Sequence, residues 1–218
     1  SDPPFDTYWS GNTTDLCPVG ALTSVDFRFE ARIWEMDAAP SICSHCPVGC
    51  NITVNTRLDP KAGRKTVQRV MPRQNEWVNE LWICDKGRFA QKAGDAKDRL
   101  KRPLARNAKG KLKPVSWSKA LKIAAEHLGP KPEGLVSLAG GRLCNEDLYQ
   151  MRALTEALDG MPVLDTPLAG GDLVSRLGLG EGTNLRDLGP ETAILVVACD
   201  LEEEAPLWWL RVKAAAER

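Results

Sequence analysis

Cys43-Ser44-His45-Cys46-Pro47-Val48-Gly49-Cys50 sets three thiols on one short loop, and a fourth thiol follows downstream in Cys84-Asp85-Lys86-Gly87. A cubane 4Fe-4S cluster presents four separate iron corners, each of which takes one thiolate. The C-x2-C-x3-C loop can supply three corners and Cys84 the fourth. Structural zinc also takes four thiolates, but usually as two separated C-x2-C pairs, whereas here three cysteines share one loop. His45 stands between two cysteines, where binding alongside both is sterically awkward. Gly49 is expected to let the backbone approach the inorganic sulfides. Pro47 fixes its own φ and restricts Cys46, and neighbouring amides are placed to donate to sulfur. Lys86 is expected to act on the cluster through its charge, the plain alternative being a solvated lysine. Trp77 and Trp82 flank the approach to Cys84 and are expected to shield the cluster and fill a small core. The expected cofactor-binding set is Cys43, Cys46, Cys50 and Cys84.

Around this motif lie 218 residues, enough for one large or two smaller domains. Lys plus Arg equals Asp plus Glu, at 29 each, so net charge supplies no reason to expect nucleic acid or an acidic lipid surface. The charge is nevertheless uneven. Cys84 to Lys113 holds eleven basic residues against three acidic ones, and Glu181 to Pro206 holds seven acidic residues with Arg186 as the single base. Two solvated faces are the plain reading, and docking surfaces for other subunits the functional one. Seven cysteines, an odd number with four tightly patterned, suit metal binding in a reducing compartment better than a secreted disulfide framework. No apolar run reaches the roughly 18 residues of a membrane span, and no charged-then-apolar leader opens the chain. Any membrane link is therefore expected to be indirect. The chain starts at Ser1-Asp2-Pro3-Pro4 and stops in Ala214-Ala215-Ala216-Glu217-Arg218, which reads as a piece cut from a longer protein.

Three regions are expected. Residues 1–37 read as a tail and linker, loop-like through Thr13-Thr14-Asp15 and then extended over Val25, Phe27 and Phe29. Residues 38–106 hold the patterned cysteines, strands at Asn51 to Asn55 and Thr66 to Met71, and helical turns near Trp77 to Gln91. Lys109 to Lys113, with Gly110 and the following Pro114, marks a boundary, and residues 107–218 begin an α/β domain. There Ser116 is expected to cap a helix carrying Leu121, Ala124, Ala125 and Leu128, with Gly129 as its stop. Leu135 to Ala139 reads as a buried strand, and Asn145 as the cap of a helix bearing Leu148, Met151, Leu154 and Leu158. Pro162 to Asp165 is a second strand. Ala193 to Cys199 is the clearest strand of all, because Ile194-Leu195-Val196-Val197 is wholly apolar, and Pro206 starts a helix. The predicted class is α/β: a small domain of mixed short strands and helices, then an incomplete doubly wound layer. Cys144 and Cys199 read as buried thiols acting as small hydrophobes, and His127 as a residue without a role. Gly178-Leu179-Gly180-Glu181-Gly182 reads as loop, since no convincing strand leads into it.

Two stretches carry a resemblance. Tyr8-Trp9-Ser10-Gly11-Asn12-Thr13-Thr14-Asp15-Leu16-Cys17-Pro18-Val19-Gly20-Ala21-Leu22 resembles the segment of the large iron–sulfur subunit of respiratory complex I that carries the last cysteine of a 4Fe-4S site. Cys43 to Cys50 with Cys84-Asp85-Lys86-Gly87-Arg88-Phe89 resembles the 4Fe-4S domain shared with molybdopterin oxidoreductases, and Trp117 to Arg218 the beginning of their α/β region. The resemblance implies an electron-transfer subunit of an NADH-quinone oxidoreductase, with flavin-binding and quinone-side iron–sulfur subunits as partners. It also implies a place in the peripheral arm, on the cytoplasmic face of a bacterial inner membrane. The bacterial form is implied because the Cys43 to Cys84 quartet is intact. By the same resemblance Cys17 is a metal ligand to a second 4Fe-4S cluster only in a full-length subunit, because the three companion cysteines lie upstream of this sequence. No residue here is expected to carry out bond chemistry. A formate dehydrogenase type enzyme is the alternative within the superfamily. Val163-Leu164-Asp165-Thr166-Pro167-Leu168-Ala169-Gly170-Gly171-Asp172 offers no thiol where such an enzyme places its molybdenum ligand, Ser175 being the nearest hydroxyl. Asp200-Leu201-Glu202-Glu203-Glu204-Ala205-Pro206 also resembles the complex I form. A zinc-binding interaction module is the alternative outside the superfamily.

Overall fold

The structure, a computed structural model, describes residues 7–60, 63–96, 98–129, 133–141, 143–165, 185–189 and 191–217. The Gly178 to Gly182 run, Ser175 and the part of the thiol-free segment beyond Asp165 lie outside the described residues. The chain forms two compact units, one combining Ser1–Ala96 with Gly171–Arg218 and the other spanning Lys97–Gly170.

The first unit is built on an antiparallel sheet of order β1-β2-β3, with β1 at Asp37–Ile42, β2 at Asn51–Asp59 and β3 at Arg64–Pro72. Strands β2 and β3 extend both expected segments, and Ile52, Val54, Val67 and Val70 turn toward the core, the three-residue step from Val67 to Val70 being absorbed by a register shift between Asn55 and Thr56. Strand β1 is not foreseen in the sequence. It carries Pro40, and every one of its residues is exposed. An edge strand tolerates a residue without an N–H, and among the described residues β1 pairs only with β2, from Asp37 opposite Thr56 to Ile42 opposite Asn51.

Two expectations for the first region are corrected. Thr13-Thr14-Asp15 is not loop but part of helix α1, Asn12–Leu16. Val25, Phe27 and Phe29 do not form a strand: residues 25–30 are consecutive turns, closed by Arg28 N–H to Ser24 O at 2.9 Å and Glu30 N–H to Phe27 O at 3.1 Å. Phe29 takes a positive φ of 67°, which breaks the alternation that an extended chain needs.

The core of this unit gathers Cys43, Val48, Cys50, Ile52, Val70 and Ile83 together with Ala205 and Leu207. The last two come from the far end of the sequence, at the junction of α5, Leu201–Glu204, and α6, Pro206–Ala216. Asp200 caps α5 by accepting from Glu203 N–H at 3.2 Å, and Pro206 opens α6 in the first turn, where its missing N–H costs nothing. Ala193 to Cys199, expected as a strand, has no strand structure. Leu195 and Val197 are largely exposed. β-propensity expresses packing against neighbouring strands, and among the described residues none pairs with this stretch.

The second unit starts with a hairpin of β4, Leu104–Arg106, and β5, Leu112–Pro114. Lys109 to Lys113 thus supplies its turn and second strand; Asn107 Oδ1 accepts from Lys109 N–H at 3.0 Å and Lys111 N–H at 3.1 Å. Helix α3, Trp117–Leu128, follows as expected: Ser116 Oγ accepts from Lys119 N–H at 3.3 Å, and Gly129 ends it at φ 63°. Strands β6, Val136–Gly140, and β7, Met161–Asp165, are parallel and joined through α4, Asn145–Ala157. This β-α-β crossover is the α/β element the sequence implied. Cys144, rather than Asn145, occupies the cap position of α4. Thr155 is buried on the inner side of α4 and donates to Ser137 Oγ of β6 at 2.8 Å.

Candidate metal centre

The three-thiol loop is the connection between β1 and β2. Cys43 and Cys50 continue the ladder one step past Ile42 and Asn51, with Cys43 N–H donating to Cys50 O at 2.8 Å. Cys46 therefore projects from a loop whose two ends are hydrogen-bonded together. Gly49 within it has φ +64°, and a Cβ there would meet nothing closer than Ile42 Cγ2 at 3.8 Å. The left-handed backbone by itself favours glycine at this point.

Cys84 immediately precedes helix α2, Asp85–Phe89, and its carbonyl accepts Arg88 N–H at 3.0 Å. The glycine that makes room for sulfur is Gly87, one turn into this helix, where a Cβ would stand 3.2 Å from Cys43 Sγ. The helix bearing the remote thiol is thereby seated directly against the loop bearing the other three. Asn79, 1% exposed, latches the same region. Its Oδ1 accepts Asn51 N–H at 2.9 Å, while its Nδ2 donates to Trp82 O at 3.1 Å and Arg73 O at 3.3 Å. Neither Gly87 nor Asn79 was singled out from sequence. The Cys84-x-x-Gly87 spacing carried a signal for the first, and nothing local distinguished the second.

Cys43, Cys50 and Cys84 are buried and Cys46 is half-buried; none is in a disulfide. Burial raises the thiol pKa of Cys43 above its ordinary value, with the nearby Cys84 adding to the effect. Burial likewise raises Cys46, and Cys84 and Cys43 push the same way, while Lys86 opposes them. Cys50 is raised furthest, by burial and then by Cys46, Cys43 and Cys84. The influence of Cys84 thus reaches all three thiols of the loop. Among the described residues no three His, Cys, Asp or Glu side chains gather as a single-ion site. A cubane does not ask its ligands to meet at one atom, and the donor set of four thiols, three of them removed from water, fits such a cluster.

Lys86 is fixed, not freely solvated. Its Nζ donates to Glu203 Oε1 at 2.6 Å and Glu203 O at 2.7 Å, and it lies 4.6 Å from the Tyr8 ring centroid. His45 is exposed. Trp82 packs on the core as expected, but Trp77 is 49% exposed and lies under Arg186 instead. His127 is exposed.

Cys17 follows the end of α1 and is half-buried. The backbone amide of Leu22, with those of Val19, Ala21 and Gly20, lowers its thiol pKa. It borders a cavity of about 420 Å³ also lined by Asp15, Arg69, Arg88 and Phe89. Two further cysteines depart from expectation. Cys144 is exposed, and Cys199 is half-buried with Sγ 3.2 Å from Glu204 Oε2. Each lies beside an acidic helix start rather than in an apolar core.

Residues 38–92 match the family described as NADH-ubiquinone oxidoreductase NDSU1/NuoG-like, 4Fe-4S domain, and residues 99–218 match the molybdopterin oxidoreductase family. Over 97% of its length the chain is 39% identical to a NADH-quinone oxidoreductase subunit of Streptomyces coelicolor, covering 27% of that protein. It is 39% identical over 94% of its length to NADH-quinone oxidoreductase subunit 3 of Thermus thermophilus, covering 24% of it. It is 38% identical over 91% of its length to the mitochondrial NADH dehydrogenase (ubiquinone) iron-sulfur protein 1 of Solanum tuberosum, covering 26%. The chain spans about a quarter of the length of these curated relatives.

Proposed function

The chain belongs to the molybdopterin oxidoreductase family and carries its NDSU1/NuoG-like 4Fe-4S domain, and from that premise we propose that it is the iron–sulfur electron-transfer part of an NADH-quinone oxidoreductase. In this reading Cys43, Cys46, Cys50 and Cys84 hold a 4Fe-4S cluster, and the observation that carries it is the seating of Gly87, three residues after Cys84, against Cys43 of the three-thiol loop. The cluster supplies one-electron storage when bound. The chain's own residues exclude water from the thiols, through Ile52, Val70 and Ile83, and bring the fixed positive charge of Lys86 toward Cys46. Cys17 serves a second 4Fe-4S cluster whose other ligands come from outside these 218 residues. Electrons pass from NADH through flavin toward quinone in the assembled complex. Its neighbours are the flavin-binding and quinone-side iron–sulfur subunits, in a peripheral arm on the cytoplasmic face of a bacterial inner membrane. Among the described residues no helix is long and apolar enough to cross a membrane.

The match of residues 99–218 to the molybdopterin oxidoreductase family favours one second reading, a molybdenum enzyme of the formate dehydrogenase type. Metal analysis of the anaerobically purified full-length subunit separates the two. Iron and acid-labile sulfide without molybdenum are expected. Stoichiometric molybdenum would overturn the proposal in favour of the second reading, and zinc in place of iron would overturn both.

A further inference from the structure

Helix α1, which leads to Cys17, and helix α2, which follows Cys84, are joined by a buried polar network. Asp85 accepts Gly11 N–H at 2.8 Å and the Ser10 hydroxyl, and its own N–H donates to Tyr8 O at 2.6 Å. Asn12, 6% exposed, donates to Ile83 O at 2.9 Å. Arg88, 4% exposed, donates to Asn12 Oδ1 at 2.9 Å and forms an ion pair with Asp15 at 2.7 Å. A Cβ at Gly11 would overlap Arg88 Cδ and Nε, so the α1 backbone lies directly on the arginine stem.

Arg88 is one turn beyond Cys84, and Asp15 two residues before Cys17; both line the cavity that Cys17 borders. A buried charge needs a partner, because little water is present to screen it. Here that partner belongs to the other cysteine segment. Arg69, on β3, also faces Asp15 electrostatically, so Asp15 answers more than one cation.

We propose that the Arg88–Asp15 pair is a positioning device shared by the two cluster-ligand segments, locking the Cys17 segment to the Cys84 helix and setting the electrostatic field at both. The inference rests on the assignment of Cys84 and Cys17 to two clusters. Asp15→Asn leaves the buried Arg88 uncompensated, which favours the electron-rich state nearby, whereas Arg88→Met leaves the half-buried Asp15 carboxylate without that partner and disfavours it.

The test is a redox titration followed by low-temperature EPR on the intact complex carrying Asp15→Asn, Arg88→Met or Arg88→Lys. Asp15→Asn should raise the midpoint potential of both clusters and Arg88→Met should lower it, with Arg88→Lys nearer to wild type. Opposite shifts at both clusters support the device, and a merely structural contact would not produce them. Unchanged potentials, shifts at one cluster alone, or shifts of the same sign in both variants would overturn it. If neither variant assembles, the proposal is judged on Arg88→Lys and on the double variant Asp15→Asn/Arg88→Met. That double variant should assemble better than either single change, and assembly no better than that of the single variants would overturn the pairing. Absence of either cluster from the wild-type complex would remove the ligand assignment itself.

Discussion

Gly87 offers a sharp single-residue test of the candidate centre. Its Cα faces Cys43 Sγ closely enough that an added Cβ would sit 3.2 Å away. Gly87→Ala should therefore lower iron and acid-labile sulfide content and destabilise the unit by about 1–3 kcal/mol through overpacking. Gly94→Ala, where a Cβ meets nothing within 4 Å, should leave iron content unchanged. The thiols themselves predict a pH dependence. Cys43, Cys46 and Cys50 are held above their ordinary values, chiefly by burial. A folded-state pKa above the unfolded value favours the protonated thiol, so the associated stability is complete below the unfolded pKa of about 8.5. It is lost as pH rises toward the folded values. Denaturant melts of iron-depleted protein should thus show falling stability above about pH 8.5. Because the metal binds thiolates and displaces their protons, the iron-loaded protein should hold its stability over the same range.

Among the elements, α5 and α6 have the most consequence for the centre, because Ala205 and Leu207 complete the core around Cys43 and Cys50. Leu207→Ala should cost about 2–5 kcal/mol and release iron from the cysteine unit, although the residue lies far from every cysteine of the quartet in sequence. A melt monitored by cluster absorbance, compared with one followed by far-UV circular dichroism, would check both effects. The latch at Asn79 makes a similar prediction: Asn79→Ala leaves Asn51 N–H and the carbonyls of Arg73 and Trp82 without their side-chain partner. Unmade buried bonds cost about 1–3 kcal/mol apiece, so its destabilisation should exceed that of an exposed control such as Asn107→Ala, in a turn of the second unit.

For the molecule as a whole, what was legible in the sequence depended on how local the physics was. Cys43, Cys46 and Cys50 lie on one loop, Ser116 and Gly129 bracket one helix, and β6 and β7 flank one crossover; each is written in a short span. Strand β1 was hidden because Pro40 and a fully exposed side-chain row give no alternation, and only its pairing with β2 makes it a strand. Ala193 to Cys199 was misread for the opposite reason, having strong apolar character and no partner strand among the described residues. The role of Gly87 and the closure of the core by Leu207 were illegible because they depend on which distant segments meet. The cysteine spacing pointed to the cluster and the resemblance to its proposed setting, while the structure supplied the neighbours of each thiol.

The central claim is that one remote thiol and three from a single loop hold one cluster. It is tested most directly by low-temperature EPR and iron quantification of the intact complex carrying Cys84→Ser, beside Cys144→Ser, a change at an exposed cysteine. Loss or conversion of one 4Fe-4S signal in Cys84→Ser, with the other signals kept and Cys144→Ser like wild type, is the predicted result. A full complement of signals and iron in Cys84→Ser would contradict it.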